Sequence, residues 1–248
     1  MKKPLLFIIP IILLGITSCK KLGTTSANIS EADAVNIIGT SLASGSSGLT
    51  TTTADASVTA QAFFSANTVC GGTKADSVSH QSGTNSTATY GYKAKFTNKL
   101  TCNTSNQPDN ITHSMAYSGY FNGPNLFITN TGTSNFVVAG LTPGSTVYAV
   151  NGEFKSTGTF KLKADTTNNG TISIDIAITN LIITKSTVST PAGITGGSAT
   201  IAVTGNVPKK GAFTFNGALA FTGNSSAKFT IGSNVYVINL ITGAVTKQ

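Results

Sequence analysis

The sequence predicts a mostly β domain, an antiparallel sandwich, barrel or extended meander of about ten strands, with one short N-terminal helix. Three observations carry that reading. From Tyr90 onward apolar and polar residues alternate with period two, the pattern of strands that bury one face. The alternating runs are short and separated by clusters of Gly, Asn, Ser or Pro, which supply turns. Clear helical spacing occurs in one place, near the N-terminus.

Ser30 followed by Asp33 makes a helix start, and Ala32, Val35, Ile38 and Leu42 then fall near helical spacing, which predicts a helix over 30–44. Its apolar stripe is expected to cap the β domain. Residues 45–55, rich in Gly, Ser and Thr, read as a loop, and 58–64 as a short strand or helix. Tyr90, Tyr92, Ala94, Phe96, Leu100 and Cys102 share one parity against Lys93 and Lys95, so a strand there faces Cys102 inward. The longest alternation sets Ile172, Ile174, Ile176 and Ile178 against Ser173, Asp175, Ala177 and Thr179. Phe213, Phe215, Leu219 and Phe221 repeat it opposite Thr214 and Asn216. Further strands are expected at 147–154, 159–163, 199–204, 227–231 and 235–241. The β domain then covers 45–248, with 45–145 and 146–248 as candidate subdivisions. Ala149-Val150-Asn151-Gly152 with Gly158 and Phe160 is echoed 53 residues on by Ala202-Val203-Thr204-Gly205 with Gly211 and Phe213. Both segments read as strand, turn, strand.

Composition restricts function. All 16 basic residues are Lys and the chain has no Trp. Bidentate recognition of phosphate or guanine favours Arg, so a nucleic-acid reader is excluded as an expectation. A net charge of +8 with only 10% charged residues is instead a scattered solvated surface with weak attraction for anionic lipid or glycan.

Residues 1–18 join Lys2 and Lys3 to an apolar run from Leu5 to Leu14 broken by Pro10, the charged and apolar regions of a secretory leader. The run falls short of the ~20 residues that cross a bilayer as a helix. Ile16-Thr17-Ser18-Cys19 resembles the lipobox of bacterial lipoproteins. The resemblance implies that 1–18 are removed and that Cys19 is acylated and holds the protein on a membrane, its principal partner. In that family an Asp after the cysteine favours the inner membrane; Lys20 stands here, which implies the outer membrane. Residues 19–29 form a polar tether. With Cys19 assigned to lipid, Cys70 and Cys102 remain as a pair in a compartment that permits disulfides. Their bridge would close a loop of about 30 residues and stabilise by roughly 3 to 4 kcal/mol on the chain-entropy argument.

No constellation for catalysis stands out, and no enzyme is expected. Glu31, Asp33, Asp55, Asp76, Asp109, Glu153, Asp165 and Asp175 are widely spaced apart from Glu31/Asp33, and Asp33 reads as a cap. Asp76-Ser77-Val78-Ser79-His80 has the letters of a triad, but neighbours on one strand face opposite ways and cannot form a relay. His80 and His113 lack metal-ligand spacing to each other or to the cysteines. The stretch from Asp165 to Gly170 is similar to the opening of a calcium loop, yet position three is Thr167 and position twelve Ile176; a hairpin turn explains it. No cofactor or metal is expected. The expected role is non-catalytic binding or adhesion towards glycan or another envelope component, with Tyr117 and Tyr120 as contact candidates. A carrier for lipid or another amphiphile is the alternative, and an envelope hydrolase a third.

Overall fold

The computed structural model describes residues 29–248 except 47, 67–68, 84–87, 166 and 187–192. Cys19, the leader and most of the tether lie outside the described residues. Helix α1 spans Glu31–Leu42, a 3-10 turn Ser44–Ser46 and helix α2 Leu49–Ala66. Eleven strands follow: β1 (Thr73–Gln81), β2 (Thr89–Cys102), β3 (Pro108–Asn122), β4 (Leu126–Ala139), β5 (Val147–Leu162), β6 (Asn169–Thr184), β7 (Gly193–Val207), β8 (Gly211–Gly223), β9 (Ser226–Ile231), β10 (Asn234–Asn239) and β11 (Val245–Lys247). They form a single antiparallel sheet in sequence order. Of the three predicted architectures the chain adopts the meander.

Alternation decides which face is inside. Ile172, Ile174, Ile176 and Ile178 are all buried, as are Phe154, Phe160, Phe213, Leu219 and Phe229, and with the helices they make one continuous core. A flat sheet could not bury that face against two helices, so the sheet curls. Rings of Phe160 on β5 and Phe213 on β8 lie 6.1 Å apart, although three strand spacings on a flat sheet would be about 14 Å. The bend has a local cause. Register shifts fall between Val150 and Gly152 and between Thr179 and Ile182, and Asn151 Oδ1 accepts from the backbone N–H of Asn180 at 2.8 Å. Gly152 at φ +136° follows the first shift, and Gly197 at φ +111° lies against Asn180 and Leu181 at the second. Such an aligned row of bulges across β5, β6 and β7 turns a corner.

The sheet does not close on itself; helices span its open seam. The α1 N-cap is Ser30, whose Oγ accepts from Asp33 N–H and donates to Asp33 Oδ2, as the sequence pattern predicts. Glu31 Oε1 accepts from Tyr236 Oη at 2.5 Å and Asn234 Nδ2 at 2.7 Å, pinning α1 to β10. Backbone N–H groups of Ser44 and Gly45 donate to Leu240 and Ile241 carbonyls, both at 2.8 Å. On the opposite side, α2 meets β1 through Asp55 and His80, 3.0 Å apart. The exposed edge at β1 is blunted: Lys74 and Asp76 take the parity of the core face, and Asp76 Oδ1 accepts the Ser77 N–H at 2.8 Å.

Three expectations are corrected. Helix α2 occupies the segment read as a loop at 45–55 and left open at 58–64. Its threonines and serines disguise it, because their hydroxyls bond back into the helix: Thr53 Oγ1 to Leu49 O (2.8 Å), Ser57 Oγ to Thr53 O (2.8 Å), Thr59 Oγ1 to Asp55 O (2.7 Å). Satisfied in this way, Thr52, Thr53 and Ser57 are buried like small apolar residues. The Cys70–Cys102 bond forms, with Cα atoms 5.6 Å apart, but at the half-exposed end of β2 rather than in the core. There the register shifts between Thr101 and Cys102 and the neighbouring strand β1 is exposed on both faces. The 53-residue echo is strand, turn, strand in its second copy alone, which turns from β7 into β8; its first copy lies within the continuous strand β5. Strands β4 and β5, on either side of residues 140–146, pair over their full length.

Candidate binding cleft

Helix α2 buries Leu49, Thr53, Ala56, Ala60 and Phe63 against the sheet. Its opposite flank, with Ala54, Ser57, Val58, Gln61 and Ser65 at helical spacing, faces the β4–β5 turn (Leu141, Thr142, Pro143, Gly144, Ser145) and the ends of β5 and β6. Between them lies a cleft of about 670 Å³, lined mainly by apolar atoms and including Phe64, Tyr148 and Ile183. Val58 projects there 63% exposed, an apolar side chain left to solvent where the helix could have carried a charge.

One cation stands in this lining. Lys185 Nζ donates to Gln61 Oε1 at 3.0 Å and sits 4.8 Å from the Tyr148 ring centroid, a cation–π distance. Gln61 is itself fixed by donating to Leu141 O at 3.0 Å. Partial burial lowers the Lys185 pKa from its ordinary value, because removing an ammonium from water disfavours the charged form. No carboxylate pairs with Lys185 among the described residues. The cleft is therefore mainly apolar, with several hydroxyls and one cation in its lining.

The sequence-derived candidates lie elsewhere. Tyr117 is in the core, which removes it as a contact residue: its ring packs 5.4 Å from Phe154, its hydroxyl donates to Lys155 O at 3.0 Å, and it closes over Gly132, where a Cβ would clash. It shares strand parity with Ile111 and Met115, a signal that already points it inward. Tyr120, of the opposite parity, is 44% exposed and lies across Gly91, its partner on β2. The two are not brought together.

His80 pairs with Asp55 of α2 rather than with Asp76, which binds Lys74. Burial pushes the Asp55 carboxyl above its ordinary value despite the nearby imidazole. No hydroxyl or thiol is hydrogen-bonded to His80 among the described residues, so the pair lacks a nucleophile. His113 is fully buried, its Nδ1 2.7 Å from Asn98 Oδ1. The Asp165 loop is a turn: Asp165 Oδ1 accepts from Thr167 N–H and Oγ1, while Lys210 Nζ lies 3.7 Å from Asp165 Oδ2, placing an ammonium beside the carboxylate. Glu153 and Asp175 do converge, but on a shared Lys155 at 2.8 and 3.7 Å on the exposed face of the sheet. Among the described residues no group of three or more His, Cys, Asp or Glu could hold a metal ion. No protein-family model, curated protein or solved structure matches this chain.

Proposed function

We propose that the chain is a non-catalytic envelope binding protein, anchored to the outer membrane through Cys19, that takes up an amphiphile in the cleft beside α2. The observation that carries this reading is an apolar cleft of about 670 Å³ with one partly desolvated lysine in it. Ligand sites are typically concave, mainly apolar and furnished with a few placed polar groups. Equilibrium binding of an amphiphilic fluorescent dye such as anilinonaphthalene sulfonate tests it, using wild type and Val58→Asp. Val58 is exposed, so the variant keeps the fold while setting a carboxylate in the apolar lining. Micromolar binding that Val58→Asp weakens at least tenfold supports the reading; equal binding by both proteins, or none, removes it.

Adhesion to glycan is a second reading, favoured by the outer face of the sheet. Ser118, Thr131, Thr157, Ser173, Thr204 and Thr214 are successive cross-strand partners from β3 to β8, an unbroken hydroxyl row one strand spacing apart, with Tyr120 in the next row. Retention on immobilised cell-wall polysaccharide, lost in Tyr120→Ala, would favour it over the cleft.

A further inference from the structure

The cleft does not end at Ala54. That residue also lines a second depression of about 510 Å³, which continues past Gly193 and Ile194 to Leu240 and Ile241. The two depressions share Ala54 and lie against Ile183 and Ile194, cross-strand partners on β6 and β7. The two therefore lie end to end along α2, as a composite trough. Eleven residues of helix separate Gln61 from Thr50, about 16 Å at 1.5 Å per residue. Charge is distributed unevenly along it. At the Gln61 end stands Lys185, whose partners are the Gln61 amide oxygen and a tyrosine ring. At the far end Asp55 and His80 satisfy each other, and Ile241 is exposed beside the buried Ile194 and Leu240.

Resting on the amphiphile reading above, we propose that the ligand is a single-chain anionic amphiphile, a long-chain carboxylate in its simplest form. Its head group sits at Lys185 and its tail runs along α2 towards Ile241. An ammonium without a carboxylate partner in an apolar wall favours an anion, since a charge-assisted hydrogen bond strengthens when water is excluded. The tail is held by burial of methylenes.

The test compares octanoate, dodecanoate and hexadecanoate, each with its matching alcohol, on the full chain by isothermal calorimetry. Each added methylene should tighten binding about fourfold until the trough is filled. Carboxylates should bind wild type roughly ten- to a hundredfold more tightly than the alcohols, and Lys185→Gln should erase that margin. Gly193→Leu probes the far end: a Cβ at Gly193 meets nothing within 4 Å, so the leucine enters open space. Hexadecanoate should lose about fifteenfold there, the value of roughly two methylenes left outside, and octanoate should be unchanged. Alcohols binding wild type as tightly as carboxylates, or Gly193→Leu affecting all lengths alike, would overturn the inference while leaving an amphiphile site standing. Failure of every amphiphile, charged or neutral, would instead remove the function on which it rests.

Discussion

Replacing His113 with Gln probes the buried interior through the pH dependence of stability. The imidazole is fully buried on β3, stacked 4.9 Å from Phe96, with Nδ1 bonded to Asn98 and Nε2 without a hydrogen-bond partner among the described residues. Burial lowers its pKa from 6.5 to about 4, because taking an imidazolium out of water disfavours the charged form. Above pH 6.5 the ring is neutral in both folded and unfolded chains, and its contribution is fully present. As pH falls below 6.5 the unfolded chain takes up a proton that the folded chain refuses, so stability is lost through the window down to about pH 4. One unit is worth about 1.36 kcal/mol, so the full window costs on the order of 3 kcal/mol. Urea unfolding followed by circular dichroism at pH 7.5, 6.5, 5.5 and 4.5 reads it. Gln can still donate to Asn98 and does not titrate, so the wild-type-minus-variant difference isolates His113 from every other group. That difference should fall by about 1.4 kcal/mol per unit between pH 6 and 4.5. Parallel stability curves for the two proteins would show that the ring is charged or solvated in the fold and refute the argument.

Gly152→Ala should destabilise by more than about 2 kcal/mol in chemical denaturation, since its Cβ would lie 2.0 Å from Asn135 O at a φ of +136°; a wild-type midpoint would show that the bulge can relax. Glu31→Gln and Tyr236→Phe should couple by about 1 to 2 kcal/mol in a double-mutant cycle, because a hydroxyl-to-carboxylate bond joins them; strictly additive effects would mean that the bond does not hold the seam. Cys70→Ser with Cys102→Ser should lower stability by roughly 3 to 4 kcal/mol on the chain-entropy argument for a separation of 32 residues, and should leave dye binding unaltered. Cys19→Ala should abolish acyl labelling and release the protein from membranes; label retained on the variant would overturn the lipoprotein assignment.

Strand alternation was legible because it is a local property. The stretch 227–231 matches β9 within one residue, and the isoleucine run lies in β6 with every predicted side chain inside. Strand β5 was read as two runs because Ser156-Thr157-Gly158 has the composition of a turn; in the sheet it pairs without interruption with β4. What failed was α2, where helical hydroxyls bonded to their own backbone are indistinguishable in sequence from a loop. The binding cleft failed with it. Without the helix, Val58 and Gln61 have no common face, and Gln61 and Lys185 stand 124 positions apart. His80 illustrates the same limit: its local neighbour Asp76 was visible, while Asp55, its actual partner, was hidden on an unrecognised helix.

Sheet order and seam place opposite demands on the order of assembly. Every strand pairs with its immediate neighbour in the chain, so the sheet can zip hairpin by hairpin with short loop closures at each step. The helices cannot share in that economy. Glu31 meets Tyr236 across 205 positions and Ser44 meets Leu240 only after β10 exists. The segment made first is thus the one docked last, and until the final hairpin arrives its apolar residues Val35, Ile37, Ile38 and Leu42 have no complete surface to cover. A chain halted before β10 would carry an almost finished sheet and an unshielded N-terminal helix, the state most exposed to self-association.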